Sequence, residues 1–342
     1  VHFQTALPEH SSLLLQLLEE NAMQGTIDMV MTRRPDYFSN LHYFGTEYPV
    51  LAEEHNRVVG MCQLTKHNGF INGQLQPLGY LNSLRVSHHY RNRIRVLRSG
   101  FDYLKQHLSP PPYCYTSIAS DNLTARKLLE KENTGLPRYS PLGELSTLAI
   151  STQRGRYLGL WQNQTVEQYQ DVVEFYHRQT IGYQLSPQLS VEWLINSGLP
   201  VWGYRVNAEL RACAVLWNQQ AFKQVMALDY HSIWRTLKPI YNGYAGLMKR
   251  VALPAKQQAL DQSFLAFFAI ADHQDMLSLI DDALSRCTTN VLTFGVAYSH
   301  PMLNAVIKRF RPLSYKTCLY GVDLVSSPVW PQQAIAPEAA IL

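Results

Sequence analysis

The sequence predicts an α/β (α+β) protein of two tandem units, each with its own sheet and flanking helices. Three observations carry this. The chain has 342 residues, about twice a common domain length. Stretches with apolar residues at three- and four-residue steps alternate with stretches of strand character. One order of elements (helix, helix, hairpin, strand, helix, strand, helix, strand) occurs twice.

In the first unit, a helix is expected from about Pro8, with Leu13, Leu14, Leu17 and Leu18 forming its apolar stripe. Pro35 introduces a short second helix, Asp36 to Tyr43. The period then changes to that of strands. Tyr48 to Glu54 and Arg57 to Lys66 form a hairpin across His55-Asn56, and Leu78 to Ser87 follows after the Gly69–Gly73 turn region. Ile94, Leu97, Phe101 and Leu104 mark one face of a helix from Arg91 to Leu108, which the three prolines after Ser109 stop. Tyr113 to Ala119 is a strand. Asp121 to Glu132 is a helix capped by Ser120 or Asp121, and Leu145 to Ile150 is a last strand.

Residues 151–163 are polar and carry Gly and Arg, so they are expected as the linker between a domain at 1–150 and one at 164–325. The second unit repeats the order. Helices are expected at Thr165 to His177 and Pro187 to Ile195, and strands at Pro200 to Val206, Leu210 to Trp217 and Phe222 to Leu228. Ser263 to Ile270 (strand), Gln274 to Cys287 (helix), Asn290 to Val296 (strand), Pro301 to Arg309 (helix) and Tyr315 to Leu324 (strand) complete it. An insert, residues 229–262, holds an amphipathic helix, read either as a packing element or as a lid over a substrate groove. The tail, residues 326–342, is rich in Pro and Ala and is expected to be extended or loosely ordered.

Composition excludes several classes. With 46% hydrophobic and 16% charged residues the chain can bury a core, and disorder is ruled out. No apolar run is long enough to cross a bilayer. A net charge of +4 admits an anionic cofactor without the dense basic face that nucleic acid requires, so neither membrane nor nucleic acid is an expected partner. Cys62, Cys114, Cys213, Cys287 and Cys318 are odd in number and widely spaced. They predict neither disulfides nor a zinc site, and no metal is expected. The first residues have no basic start before an apolar run, so a reducing cytoplasm is the expected compartment. Self-association is left open.

The stretch Leu78 to Leu104 is the most informative. A strand there feeds a helix N-terminus, whose unpaired N–H groups and positive dipole end suit a phosphate. Arg85, Arg91, Arg93, Arg95 and Arg98 cluster at this junction, and guanidiniums suit a pyrophosphate. The alternative is a solvated helix face. His88, His89 and Tyr90 read as loop residues, and Glu53 and Glu54 as a solvated strand end rather than a general base.

Two motifs in this region resemble the GNAT acetyltransferase superfamily. Leu84-Arg85-Val86 followed by Tyr90-Arg91 resembles its donor-binding strand end and loop. Ser120 to Lys131, with Asn122, Ala125, Leu128, Glu130 and Lys131, resembles its N-x-x-A-x-x-L-Y-E-K helix. The resemblance implies two GNAT-like domains, each a mixed, mostly antiparallel sheet flanked by helices, the second degenerate. It implies acetyl-CoA as acyl donor, a small-molecule or peptide amine as acceptor, and direct attack of the amine on the thioester. The implied donor-binding residues are Leu84, Arg85, Val86, Arg91, Asn92, Arg93, Ile94, Arg95, Val96 and Asn122. The loop departs from the family by lacking glycines, and Leu129 stands where a tyrosine acid is common. In the second unit Asp272 and Asp275 occupy the equivalent junction and would repel phosphates, so CoA is expected in the first unit. Two alternatives stay open: a catalytically inactive GNAT-like ligand- or protein-binding protein, and an aminoacyl-tRNA-dependent transferase.

Overall fold

A computed structural model describes residues 1–20, 27–55, 57–87, 90, 94–131, 135–231 and 233–342. The expected residues His88, His89, Arg91, Asn92, Arg93 and the turn residue Asn56 lie outside them.

The first half runs β1 (His2–Thr5), α1 (Ser11–Glu20), β2 (Ile27–Thr32), β3 (Thr46–Glu54), β4 (Arg57–Ile71), β5 (Gln74–Val86), α2 (Ile94–His107), β6 (Tyr113–Ala119), α3 (Leu123–Leu129) and β7 (Tyr139–Ser151). The second half runs β8 (Gln162–Asn163), α4 (Tyr169–Thr180), β9 (Ser186–Pro187), α5 (Val191–Ser197), β10 (Val201–Val206), β11 (Glu209–Trp217), β12 (Gln224–Tyr230), α6 (Trp234–Leu247) and β13 (Gln258–Ala259). It ends with β14 (Gln262–Ile270), α7 (Met276–Arg286), β15 (Val291–Ala297), α8 (Leu303–Phe310) and β16 (Leu313–Val322).

One sheet crosses both halves in the order β1-β3-β4-β5-β6-β16-β7-β15-β14-β11-β10-β8, with β9 beside β4. Its centre is an exchange. The last strand of the chain, β16, lies between β6 and β7 of the first half, and β7 lies between β16 and β15 of the second. A second sheet, β13-β12-β2, also joins the halves. The linker region is pinned by one carboxylate. Asp282 on α7 accepts the N–H groups of Leu158, Gly159, Leu160 and Trp161 at 2.7–3.1 Å. These bonds outweigh burial and keep its pKa below the usual carboxylate value.

Among the described strands each half has one parallel pair, and each pair parts. β5 pairs with β6 only from Leu78–Leu81 against Tyr113–Thr116, yet β5 continues to Val86 and β6 to Ala119. Likewise β14 pairs with β15 only over Gln262–Phe264. Beyond each paired stretch a residue on the first strand takes positive φ where the outer ladder slips: Ser83 at 53° and Phe267 at 50°. Such a bulge turns the strand away from its neighbour.

Three expectations need correction. The segment Asp36 to Tyr43 is a series of turns, because the Asp36 carboxylate takes the Phe38 N–H and the Ser11 hydroxyl, and Asn40 and His42 adopt positive φ. The third helix is capped by Asn122, not by Ser120 or Asp121. The tail is packed. Ile335, Ala339 and Ala340 are buried, and glycines make the room: a Cβ on Gly321 would lie 2.2 Å from the Trp330 ring, and one on Gly295 would lie 2.7 Å from Ala339. The structure also adds β1 and β2, which the sequence reading did not expect, and all five cysteines are free thiols.

Candidate active site

The two strand openings differ in what fills them. In the second half the tail closes the gap. Glu338 takes the Phe267 N–H on β14 at 2.7 Å, while Ala339 lies on Gly295 of β15. Burial pushes the Glu338 carboxyl up to about 7, against the lowering effect of the Ala340, Phe267 and Ala339 amides. In the first half, among the described residues, no hydrogen bond joins Ser83–Val86 on β5 to Ser117–Ala119 on β6. The last links before the gap are Thr116 donating to the Leu81 carbonyl at 2.7 Å and the 2.6 Å Tyr80–Ser117 hydroxyl pair.

The sheet divides the expected residues between its faces. On one face, α2 packs through Phe101 and Leu104 on Leu64, Leu81 and Ile118. Ile94, Arg95 and Val96 form its first turn, where backbone N–H groups have no intrahelical acceptor. Arg95 is exposed there, whereas the Val96 side chain is core. Arg98 is exposed and lies against Gly135. Asn122 uses its Oδ1 to accept the Ala125 N–H at 3.1 Å, so its side chain closes the α3 N-terminus. Leu129 is buried in the same core.

The Arg85 side chain goes to the other face. Its strand partner is Met61, which packs with Leu14, Leu17 and Tyr37. Its guanidinium is therefore on the opposite side of the sheet from α2. Burial lowers the Arg85 pKa, offset in part by Tyr37, Tyr315 and Tyr80. Arg85 Nε is shielded from solvent without a partner among the described residues, and Nη1 reaches only the Leu84 carbonyl at 3.0 Å.

That face carries a polar row which the sequence reading missed. Tyr37 donates to Gln63, Asn82 donates to Thr65, and His67 Nε2 bonds the Tyr115 hydroxyl at 3.0 Å. Burial pulls His67 down to about 4 and pushes the Tyr80 hydroxyl up to about 12, so near neutral pH both are uncharged. The signal was present as polar residues at alternate positions 63, 65 and 67 of one strand, but period alone does not say that this face is buried. Glu53 and Glu54 end β3 and accept bonds from Gln4 and the Tyr90 hydroxyl.

Structural comparison finds a similar fold in solved structures. N-myristoyltransferase from Saccharomyces cerevisiae with bound myristoyl-CoA superposes with a TM-score of 0.60 at 11% identity, covering 98% of this chain and 86% of the other. A second structure of that enzyme with myristoyl-CoA gives 0.62 at 10% identity, covering 98% and 82%. The fold is that of the GNAT superfamily. A GCN5-related N-acetyltransferase from Anabaena variabilis shares this GNAT fold at TM-score 0.50 and 9% identity, covering 93% of this chain and 71% of that one. No protein-family profile and no curated protein matches by sequence. Among the described residues no group of three or more His, Cys, Asp or Glu could hold a metal.

Proposed function

We propose that the chain is an acyl-CoA-dependent N-acyltransferase whose donor lies in the first half, between β5 and β6. The observation that carries this reading is the difference between the two openings: the tail fills the one beside Phe267, and the one beside Ser83 is open among the described residues. Leu84, Arg85 and Val86, whose strand has no β6 partner there among the described residues, would grip the donor's amides and offer N–H groups to the oxyanion that forms as the amine attacks the thioester. The first turn of α2 (Ile94, Arg95 and Val96), with Arg91, Asn92 and Arg93 before it, would take the diphosphate. Asn122 serves the site by fixing α3. The amine enters from the Arg85 face, where the uncharged Tyr80–Ser117 pair is placed to hydrogen-bond it. The second half, through β12 on β2, shapes the acceptor side.

Acetyl-CoA is the donor expected from the sequence, and a small-molecule or peptide amine the acceptor. Calorimetric titration with acetyl-CoA, with dephospho-CoA and longer acyl-CoAs alongside, tests this. Micromolar binding is expected, and no binding at millimolar ligand would overturn the assignment. A non-catalytic ligand-binding protein is the second reading, favoured by the core position of Leu129. Acetyl-CoA binding without acetylation of any member of an amine panel would select it.

A further inference from the structure

Helix α6 carries an apolar stripe that stays exposed among the described residues. Ile233, at its N-cap, and Ile240, Tyr244 and Leu247 follow one another at steps of seven, four and three, which places them on one helix face. All four are exposed, Ile240 by 69% and Leu247 by 83%. The opposite face holds the helix down: Ala245 is buried, Tyr241 donates to the Val251 carbonyl, and Asn242 exchanges bonds with Leu253. The outward stripe is therefore not a misplaced core.

The C-terminal end of the stripe runs into a depression of about 720 Å³ that Leu247, Met248, Lys249, Arg154, Lys308, Arg309 and Arg311 line. Arg250 adds its charge there. Among the described residues, this gathers six cations against one carboxylate, Asp281, which pairs with Arg309 at 2.8 Å. That excess is larger than the net +4 of the whole chain. Lys308, Arg309 and Arg311 close α8, where a helix dipole favours cations. Lys249 and Arg250 follow the C-terminus of α6 in the same way, and Arg154, from neither helix, joins the two ends at one place. Among the described residues the Nε atoms of Arg154 and Arg250 are shielded without acceptors, and burial with the nearby Arg311, Arg250 and Arg309 charges lowers the Arg154 pKa.

We propose that this surface docks the protein on an anionic bilayer interface. An apolar helix face lying beside a dense cation cluster matches the two layers of such an interface, acyl chains below and phosphate headgroups above. Two other occupants fit less well. A free polyphosphate would satisfy the cations and leave Ile233, Ile240 and Tyr244 in water. A second copy related by a two-fold axis would bring the same cations face to face. Contact at the interface needs no spanning helix, and no helix among the described residues is long and apolar enough to span.

Sedimentation of the full chain with vesicles tests the proposal. Binding should be at least about tenfold tighter to phosphatidylcholine vesicles containing phosphatidylserine than to phosphatidylcholine alone, and should weaken with added salt. The exposed double substitutions Ile240→Ser with Leu247→Ser, and Lys308→Gln with Arg311→Gln, should each lower it at least about fivefold with an unchanged thermal midpoint. Equal binding to both vesicle types, or none, overturns the proposal. So does loss of vesicle binding in inorganic pyrophosphate combined with no effect of the apolar pair, which would make the cluster a site for a free polyanion.

Discussion

Arg85 holds a positive charge on the face from which the proposed amine acceptor would approach, with an Nε donor unused among the described residues. Arg85→Met should raise the acceptor KM about tenfold, the scale of one charge-assisted hydrogen bond. CoA affinity should change little, because the side chain lies across the sheet from α2. A matching loss of CoA affinity would move the side chain to the donor. Glu338 is a second residue with a measurable signature. Its pKa rises from an ordinary 4.5 to about 7, so the native state holds the proton more tightly than the unfolded chain. Stability is then greatest below the ordinary value and falls as pH rises towards 7, by up to about 3 kcal/mol. Glu338→Gln should flatten that slope in denaturant titrations between those pH values. An unchanged slope would exclude Glu338 as its source.

At the scale of elements, Asp282 organises four consecutive amides and Arg286 Nε from one helix position. An amide side chain has one oxygen and would turn its NH2 towards backbone donors. Asp282→Asn should therefore cost about 3 kcal/mol in chemical denaturation. A cost under about 1 kcal/mol would show that water replaces the carboxylate. The sequence made many elements legible, since α2, β6, β14 and α7 each follow from apolar spacing or a strand-like run between turn residues. It hid those whose reason is a distant partner. β2 forms because β12 lies beside it, 190 or more residues away in sequence, and the tail packs because Gly295 and Gly321 leave it space. Of the site, the β5 end and the α2 start were legible as a strand feeding a helix. The side of the sheet to which Arg85 turns was not, because the bulge at Ser83 shifts the alternation by one residue.

For the whole molecule, the β7–β16 exchange and the β2–β12 pair make each half part of the other's sheet. Heating should give one transition, with van't Hoff and calorimetric enthalpies in agreement. Two separable transitions would show that the halves hold their sheets alone. The same exchange sets the order of events on the ribosome. β6 emerges almost two hundred residues before β16, the strand that covers its edge, so the nascent first half carries an unpaired strand edge while those residues are made. Closure of the central sheet waits for β16, a distant contact that slows folding and leaves the open edge to chaperones until that strand has emerged.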